Sequence, residues 1–413
     1  MSVKELRINT ETDTVRIGFV GVRGMGAIHI ENLARVSGAI ITAVCDPDEE
    51  DAKQAARTIT EAGHAPPAVY ARGNRDYERL CGEEELDIVY TATPWEMHTP
   101  ICVAAMMNGK HAATEVPAAV TLEECWELVE TAERTGRHCI MMENCCYDQV
   151  ELMILNMVRQ GLLGELIHAE GGYFHDLRDY KFRHEGASSW RTAHSIRRNG
   201  DIYPTHGLGP LAQCMNINRG NRFSKLVSMS STSQGLNLFA AREFGPDSPQ
   251  AKQEYALGDI VTTLIQTNSG QTIMLKHDTG SPRPYSRGIC VQGTAGIIRK
   301  YPEEKIYIEG RSPAEEWEPL SNYEKDFEHP LWTSQGHLST GIGHGGMDYI
   351  EDHRLVHCLR KGLPLDMDVY DAAAWSAVSA LSEQSIAAGN QPVDFPDFTR
   401  GKWKRREPLG IVA

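Results

Sequence analysis

The sequence has no CxxC pair, no apolar run approaching the 18 to 20 residues of a membrane span, no internal repeat and no low-complexity tract. It also lacks a Walker loop, a nucleophile elbow and a Ser-His-Asp ordering, so phosphate-loop and serine-hydrolase chemistries have no residues to run on. Basic residues are scarce, 41 Lys and Arg against 56 Asp and Glu, a net charge of −15. That balance speaks against a polyanionic partner, because a nucleic-acid binder concentrates cations on one face; the one basic stretch, Arg400 to Arg406, reads as a solvated end. The ten cysteines are scattered from Cys45 to Cys358, a pattern of free thiols in a reducing compartment. Residues 1–15 carry no apolar signal-like core. The expectation is cytoplasmic residence for the chain as it stands, and periplasmic or secreted residence if a leader has been removed.

What is present is a chain of 413 residues, 41% hydrophobic, long enough for two or three domains at about 150 residues each. Over residues 14–144, apolar runs at 15–22, 39–45, 87–93, 111–116 and 139–142 alternate with helical patterns at 28–35, 100–108 and 122–134. Such alternation is the grammar of βαβ units and a parallel sheet. The last helix opens on the capping box Thr121-x-x-Glu124 and stops at Gly136. From about residue 166 the grammar changes to alternating strands at 166–175, 225–233, 260–268, 271–277, 288–292 and 305–309, with a hairpin signal at Asn268-Ser269-Gly270. Two amphipathic helices, 347–361 and 369–388, are expected to pack on that second sheet. The fold class is therefore α/β: a dinucleotide-type domain, 1–146, followed by an α+β domain with a mostly antiparallel or mixed sheet, 147–413.

The most telling motif is Gly21-Val22-Arg23-Gly24-Met25-Gly26, placed where the first strand turns into a helix. Glycines there let the backbone approach a pyrophosphate over a helix N-terminus, although the spacing departs from GxGxxG. Asp46 stands 20 residues after Gly26, at the end of the second strand, where a carboxylate binds an adenosine ribose and repels a 2′-phosphate. NAD is thus favoured over NADP. The segments Thr93-Pro94-Trp95-Glu96-Met97-His98, Glu115-Val116-Pro117 and Met142-Glu143-Asn144 fall at the carboxyl ends of later strands, where ligands of open α/β sheets bind. His353 and His357 have a metal-compatible spacing but lack partners, so no metal is expected.

With its strand-end Glu115-Val116-Pro117, the first half resembles the glucose–fructose oxidoreductase and inositol dehydrogenase superfamily. Nearly the whole chain resembles the NAD-dependent glycoside hydrolase family 109, through Trp95 to His98, Glu143 to Tyr147, Tyr203-Pro204-Thr205-His206, Pro282 to Tyr285 and Gly343 to Asp348. Dehydrogenases of the superfamily carry a proton-transferring lysine in a Glu-Lys-Pro motif where this chain has Val116, and His206 is the natural replacement because its ordinary pKa lies near neutrality. The resemblance implies hydride transfer from C3 of a terminal α-N-acetylgalactosaminide to NAD, loss of the C2 proton, elimination of the aglycone, addition of water and return of the hydride. It implies dinucleotide contacts from Gly21, Arg23, Gly24, Asp46, Trp95, Glu96, Met97, His98, Glu115, Val116 and Asn144. Sugar contacts are implied for Tyr147, Arg191, Tyr203, Pro204, Thr205, His206 and Tyr285, with His206 as proton acceptor and Tyr147 as the C2 base. His344 and Asp348 could face the sugar or cap a helix. The partner is then a small-molecule or glycan substrate, with no nucleic acid and no membrane, in a homo-oligomer paired through the second-domain sheet. A net sugar or cyclitol dehydrogenase and a non-catalytic dinucleotide sensor are the alternatives.

Overall fold

The computed structural model describes residues 11–183, 189–341 and 343–411; the N-terminal stretch read above lies partly outside them. Two compact units are present. The first takes the chain up to Gln149, returns for His329–Ala373 and closes with the segment from Leu409; the second comprises Val150–Glu328 and Ala374–Pro408. The contiguous division at 146/147 misses that return.

In the first unit, β1 (Val15–Val20), β2 (Ala39–Cys45), β3 (Ala68–Tyr70), β4 (Ile88–Thr91), β5 (His111–Thr114) and β6 (Cys139–Met141) form one parallel sheet in the order β3-β2-β1-β4-β5-β6. All four residues of β4 are buried, as they must be in a strand covered by helices on both faces, and Phe19 stacks on Tyr90 at 4.8 Å in the core. Helix Leu122–Thr135 carries the expected capping box and ends on Gly136 in the left-handed conformation. The helix Glu49–Glu61 escapes the hydrophobic pattern because its buried face is only Ala52, Ala55 and Ile59. Its start is nevertheless marked by Asp48, whose side chain accepts from the amides of Glu50 and Asp51.

The second unit is built on a nine-stranded sheet, β7 (Leu166–Phe174), β8 (Phe223–Ser230), β9 (Val261–Thr267), β10 (Thr272–Asp278), β11 (Cys290–Gly293), β12 (Gly296–Arg299), β13 (Lys305–Ile308), β14 (Glu318–Pro319) and β15 (Val393–Asp394). The order is β14-β13-β12-β11-β7-β10-β9-β8-β15, with β7 and β10 parallel and the remaining pairs antiparallel. The turn Asn268-Ser269-Gly270 joins β9 to β10 with Gly270 at φ 87°, as the hairpin signal requires.

Helix Met347–Lys361 forms over its predicted span but packs on helix Met25–Leu33 of the first unit, not on the mixed sheet. Its buried face carries Asp348, Glu351 and Asp352, groups that need polar partners and would find few on an apolar sheet face. Helix Val369–Ala387 does reach that sheet with its later residues, where Ser385 accepts from the amide of Ser228 at 2.9 Å. Among the described residues no helix is long and apolar enough to cross a membrane.

Candidate active site

The glycine turn after β1 is tightly built. Gly21 has φ 83°, and a Cβ there would lie 2.6 Å from the carbonyl oxygen of Ala92; a Cβ on Gly26 would lie 2.0 Å from the carbonyl oxygen of Gly21. These two glycines press strand, turn and helix together. Gly24 differs. It caps helix Met25–Leu33 with no side-chain hydrogen bond, and a Cβ on it would meet nothing within 4 Å among the described residues. An uncapped helix N-terminus facing open space suits a pyrophosphate. Asp46 stands beside this cradle, 7% exposed, accepting from the amides of Val22 at 3.2 Å and Asp48 at 3.0 Å. Burial raises its pKa, and those two amides offset part of the rise. Arg23 reaches out to Asp51 at 2.6 Å.

At the end of β4 the residues 95–98 open a helix, Trp95–Met107, rather than a free loop. Trp95 is buried, and Glu96 and Met97 are half-buried. His98 is fully buried with its ring nitrogens 2.7 Å from the carbonyl of Pro117 and 2.8 Å from that of Thr93. Its ring joins the loops after β4 and β5.

Glu115 and Asn144 are tied into two buried polar clusters that the sequence did not reveal. His29 places Nε2 2.7 Å from Glu115 and Nδ1 2.8 Å from Asp352, which also accepts from Asn32. Asp348 accepts from Asn144 Nδ2 and pairs with His344 Nδ1, each at 2.7 Å. Burial alone lowers the His29 pKa, but Asp352 and Glu115 outweigh it and hold the ring protonated well above its ordinary 6.5. The resulting stability is complete below about pH 6.5 and is lost as the pH rises through the raised value. Thermal melts between pH 7 and 10 are expected to show a falling midpoint, with a shallower alkaline fall in His29→Gln; identical slopes would remove His29 as the cause. Glu351, one turn away, has no hydrogen-bond partner on either oxygen among the described residues, and burial holds its carboxyl well above the usual range.

Tyr147 does not fit the role of base. It is 4% exposed and its hydroxyl donates to Asp366 at 3.0 Å, a carboxylate gripped by Arg354 at 2.8 and 3.0 Å. Burial and then Asp366 push the phenol well above 10, the opposite of what proton abstraction needs. Tyr147→Phe is therefore expected to keep turnover within about tenfold of wild type; a larger loss with normal folding would restore the base assignment.

In the second unit, β7 and helix Thr205–Cys214 meet backbone to backbone. A Cβ on Gly207 would lie 2.1 Å from the amide of Gly172, so only glycine permits the approach. This brings Tyr173, two residues past Gly171, against Tyr203 at 4.6 Å and His206 at 5.4 Å between ring centroids. Tyr203 Oη lies 3.4 Å from His206 Nε2, and Tyr173 Oη lies 2.9 Å from His175 Nδ1. Tyr285, 41% exposed, sets its ring edge-on to His175 at 5.1 Å, and the Arg191 guanidinium sits 5.7 Å from the Tyr203 ring. Thr205 is buried with its hydroxyl unpartnered among the described residues, and Pro204 precedes it as the helix cap. The expected sugar-side residues Arg191, Tyr203, Pro204, Thr205, His206 and Tyr285 thus gather in one cluster, together with Tyr173 and His175. The signal that could have found them is Gly171-Gly172, a break in an otherwise bulky strand. Lys181 donates to Thr279 at 2.9 Å, and burial, followed by the charge of Arg191, lowers its pKa to about 7.

A parallel sheet in this strand order with a glycine cradle and a strand-end carboxylate defines an NAD-binding Rossmann domain. Residues 15–143 match the family model "Oxidoreductase family, NAD-binding Rossmann fold", and residues 147–405 match "Glycosyl hydrolase 109, C-terminal domain". The glycosyl hydrolase family 109 protein of Shewanella amazonensis is 49% identical over 405 residues, covering 96% of this chain and 88% of its own length; that of Solibacter usitatus is 48% identical over 399 residues, covering 96% and 91%. The chain belongs to glycoside hydrolase family 109. The fold is shared with a levoglucosan dehydrogenase solved with NADH and L-sorbose, at TM-score 0.72 and 20% identity over 94% of this chain and 100% of that one. An inositol dehydrogenase homologue from Azotobacter vinelandii solved with NAD+ matches at TM-score 0.69 and 19% identity, over 93% and 98%.

Proposed function

We propose that the protein hydrolyses terminal α-N-acetylgalactosaminides with NAD as a recycled cofactor. The observation that carries this reading is the pairing of Val116, which cannot move a proton, with a histidine and tyrosine cluster that can. NAD, when bound, supplies a reversible oxidation at sugar C3 that makes the C2 proton acidic enough to remove.

The chain's own residues do the rest. The Gly24 cradle takes the pyrophosphate and Asp46 the adenosine ribose; Glu115 and Asn144 serve the nicotinamide half. His206 accepts the proton of the C3 hydroxyl, with Tyr203 at 3.4 Å as the adjoining link. Tyr173 takes the C2 proton, with His175, whose Nδ1 lies 2.9 Å from the phenolic oxygen, as the adjoining proton partner. Arg191 presents a rigid fork of donors to sugar oxygens, and the exposed ring of Tyr285 offers a flat surface to the apolar face of the pyranose. An aryl α-N-acetylgalactosaminide incubated with protein at a tenth of its concentration, without added NAD, tests this: many turnovers of aglycone per protomer are expected. A single stoichiometric burst of NADH would instead indicate a net dehydrogenase.

We also propose a homo-oligomer formed through the outer face of the nine-stranded sheet. Met229 on β8 is 61% exposed and Leu264 on β9 is 47% exposed, and both lie on that face. Light scattering of Met229→Lys with Leu264→Lys is expected to give a monomer; an unchanged mass would reject this face.

A further inference from the structure

Next to Tyr285 lies a buried ion cluster that the mechanism above does not use. Helix Gln149–Arg159 carries Glu151, and Arg287 donates to its Oε1 through Nε at 3.0 Å and Nη2 at 2.7 Å. Lys300 donates to Oε2 at 2.6 Å. All three side chains are buried, a placement that charged groups tolerate only when paired. One edge of the guanidinium is thereby fixed, and its third nitrogen, Nη1, lies 3.3 Å from Tyr285 Oη.

The backbone explains this meeting. Ser286 pairs with Phe174 at the end of β7, its amide donating to the Phe174 carbonyl at 2.9 Å and its carbonyl accepting from the Phe174 amide at 3.0 Å. Residues two apart in such an extended segment share a face, so Tyr285 and Arg287 stand on the same side. Gly288 follows with φ 62°, and a Cβ there would lie 2.7 Å from the Phe174 ring, so the segment is pressed tightly onto β7. A guanidinium has donors only and keeps its charge at every working pH. The phenolic oxygen of Tyr285 must therefore accept from Arg287, which turns the single hydrogen of that hydroxyl away from the cation. The exposed ring of Tyr285 borders the aromatic cluster through His175, and a ligand seated there meets a hydroxyl set to donate.

We propose that Arg287, fixed by Glu151 and Lys300, is a positioning residue of the sugar site: it orders the Tyr285 hydroxyl so that this hydroxyl donates to an acceptor oxygen of the bound sugar. This rests on the sugar lying against Tyr285 and deepens that reading. Glu151 acts one step further back, setting the plane of the guanidinium through two of its nitrogens. A donor ordered before the ligand arrives loses less entropy on binding than a rotating one.

The test is a double-mutant cycle. N-acetylgalactosamine titrated calorimetrically into the NAD-loaded protein gives a dissociation constant for wild type, Tyr285→Phe, Arg287→Lys and the double variant. Lysine at 287 keeps a cation for Glu151 but cannot reach the carboxylate and the phenol together. Each single change is expected to weaken binding about tenfold, and the double variant to fall within about twofold of either, since both remove the same bond. Glu151→Gln, which loosens the guanidinium, is expected to weaken binding by a smaller factor and to have no effect in the Tyr285→Phe background. With an aryl α-N-acetylgalactosaminide the loss in Arg287→Lys is expected in KM, with kcat following that of Tyr285→Phe; damage to the fold would lower kcat further. Effects that multiply in the double variant, or an Arg287→Lys protein that binds as wild type does, overturn the assignment. If Arg287→Lys does not fold, the Glu151→Gln pair decides, and an equal effect with and without the Tyr285 hydroxyl overturns it. A wild type that binds no N-acetylgalactosamine overturns the sugar reading and the assignment together, whereas one that binds it but releases no aglycone counts against the hydrolase reading alone.

Discussion

His206→Ala is expected to lower aglycone release by about 10³-fold while NAD remains bound. His206 belongs to the cluster on β7 and helix Thr205–Cys214, where it sits edge-on to Tyr203 at 4.9 Å and Tyr173 at 5.4 Å between ring centroids. With Val116 where a lysine could have moved a proton, the proposed transfer from the C3 hydroxyl rests on His206. The Rossmann residues are untouched, and the cofactor is expected to copurify at wild-type stoichiometry. Tyr203→Phe removes only the adjoining hydroxyl, and a smaller loss follows. Wild-type turnover in His206→Ala would take the proton role from this residue and leave the cluster a binding surface only.

Gly26→Ala is expected to be the most damaging change in the first unit. Its Cβ would lie 2.0 Å from the carbonyl oxygen of Gly21, a backbone atom that cannot rotate away, so the helix must lift from the turn. A loss of about 3 kcal/mol in folding stability is expected, together with loss of NAD binding. Gly24→Ala separates the two effects. Its Cβ meets no atom of the described residues within 4 Å, and the φ of 54° costs about 1 kcal/mol, yet the methyl group stands in the cradle. NAD affinity is then expected to fall much more than stability. Urea denaturation and NAD titration of both variants check the contrast; a Gly24→Ala protein that binds NAD normally would move the pyrophosphate elsewhere.

Much of this was legible in the sequence, and the parts that were not share a cause. Parallel strands buried on both faces leave apolar runs, so five of the six strands of the first sheet stand out; the three-residue β3 is too short to do so. Gly21, Gly24 and Asp46 are legible because their roles depend on position along one βαβ unit. His29 is not: its partners lie 86 and 323 residues away, and by itself it is one histidine in a helix. The family resemblance puts Tyr147 at the sugar, whereas in the structure the short helical turn Asn144–Tyr147 sends its hydroxyl to Asp366. Tyr173 lies in an alternating strand and reads as core until the glycine contact brings helix Thr205–Cys214 against it. Helix Met347–Lys361 showed its amphipathic period but not its partner, since periodicity says that a face is buried and not against what.

The measurement that bears most directly on the proposed chemistry is turnover of an aryl α-N-acetylgalactosaminide in deuterated water, following aglycone release, the NADH absorbance band and deuterium at C2 of the released sugar. Oxidation, elimination and rehydration predict aglycone release with deuterium at C2 and no accumulating NADH. Aglycone release with C2 still fully protiated would contradict the account, because it would mean that the glycosidic bond breaks without the C2 proton ever leaving.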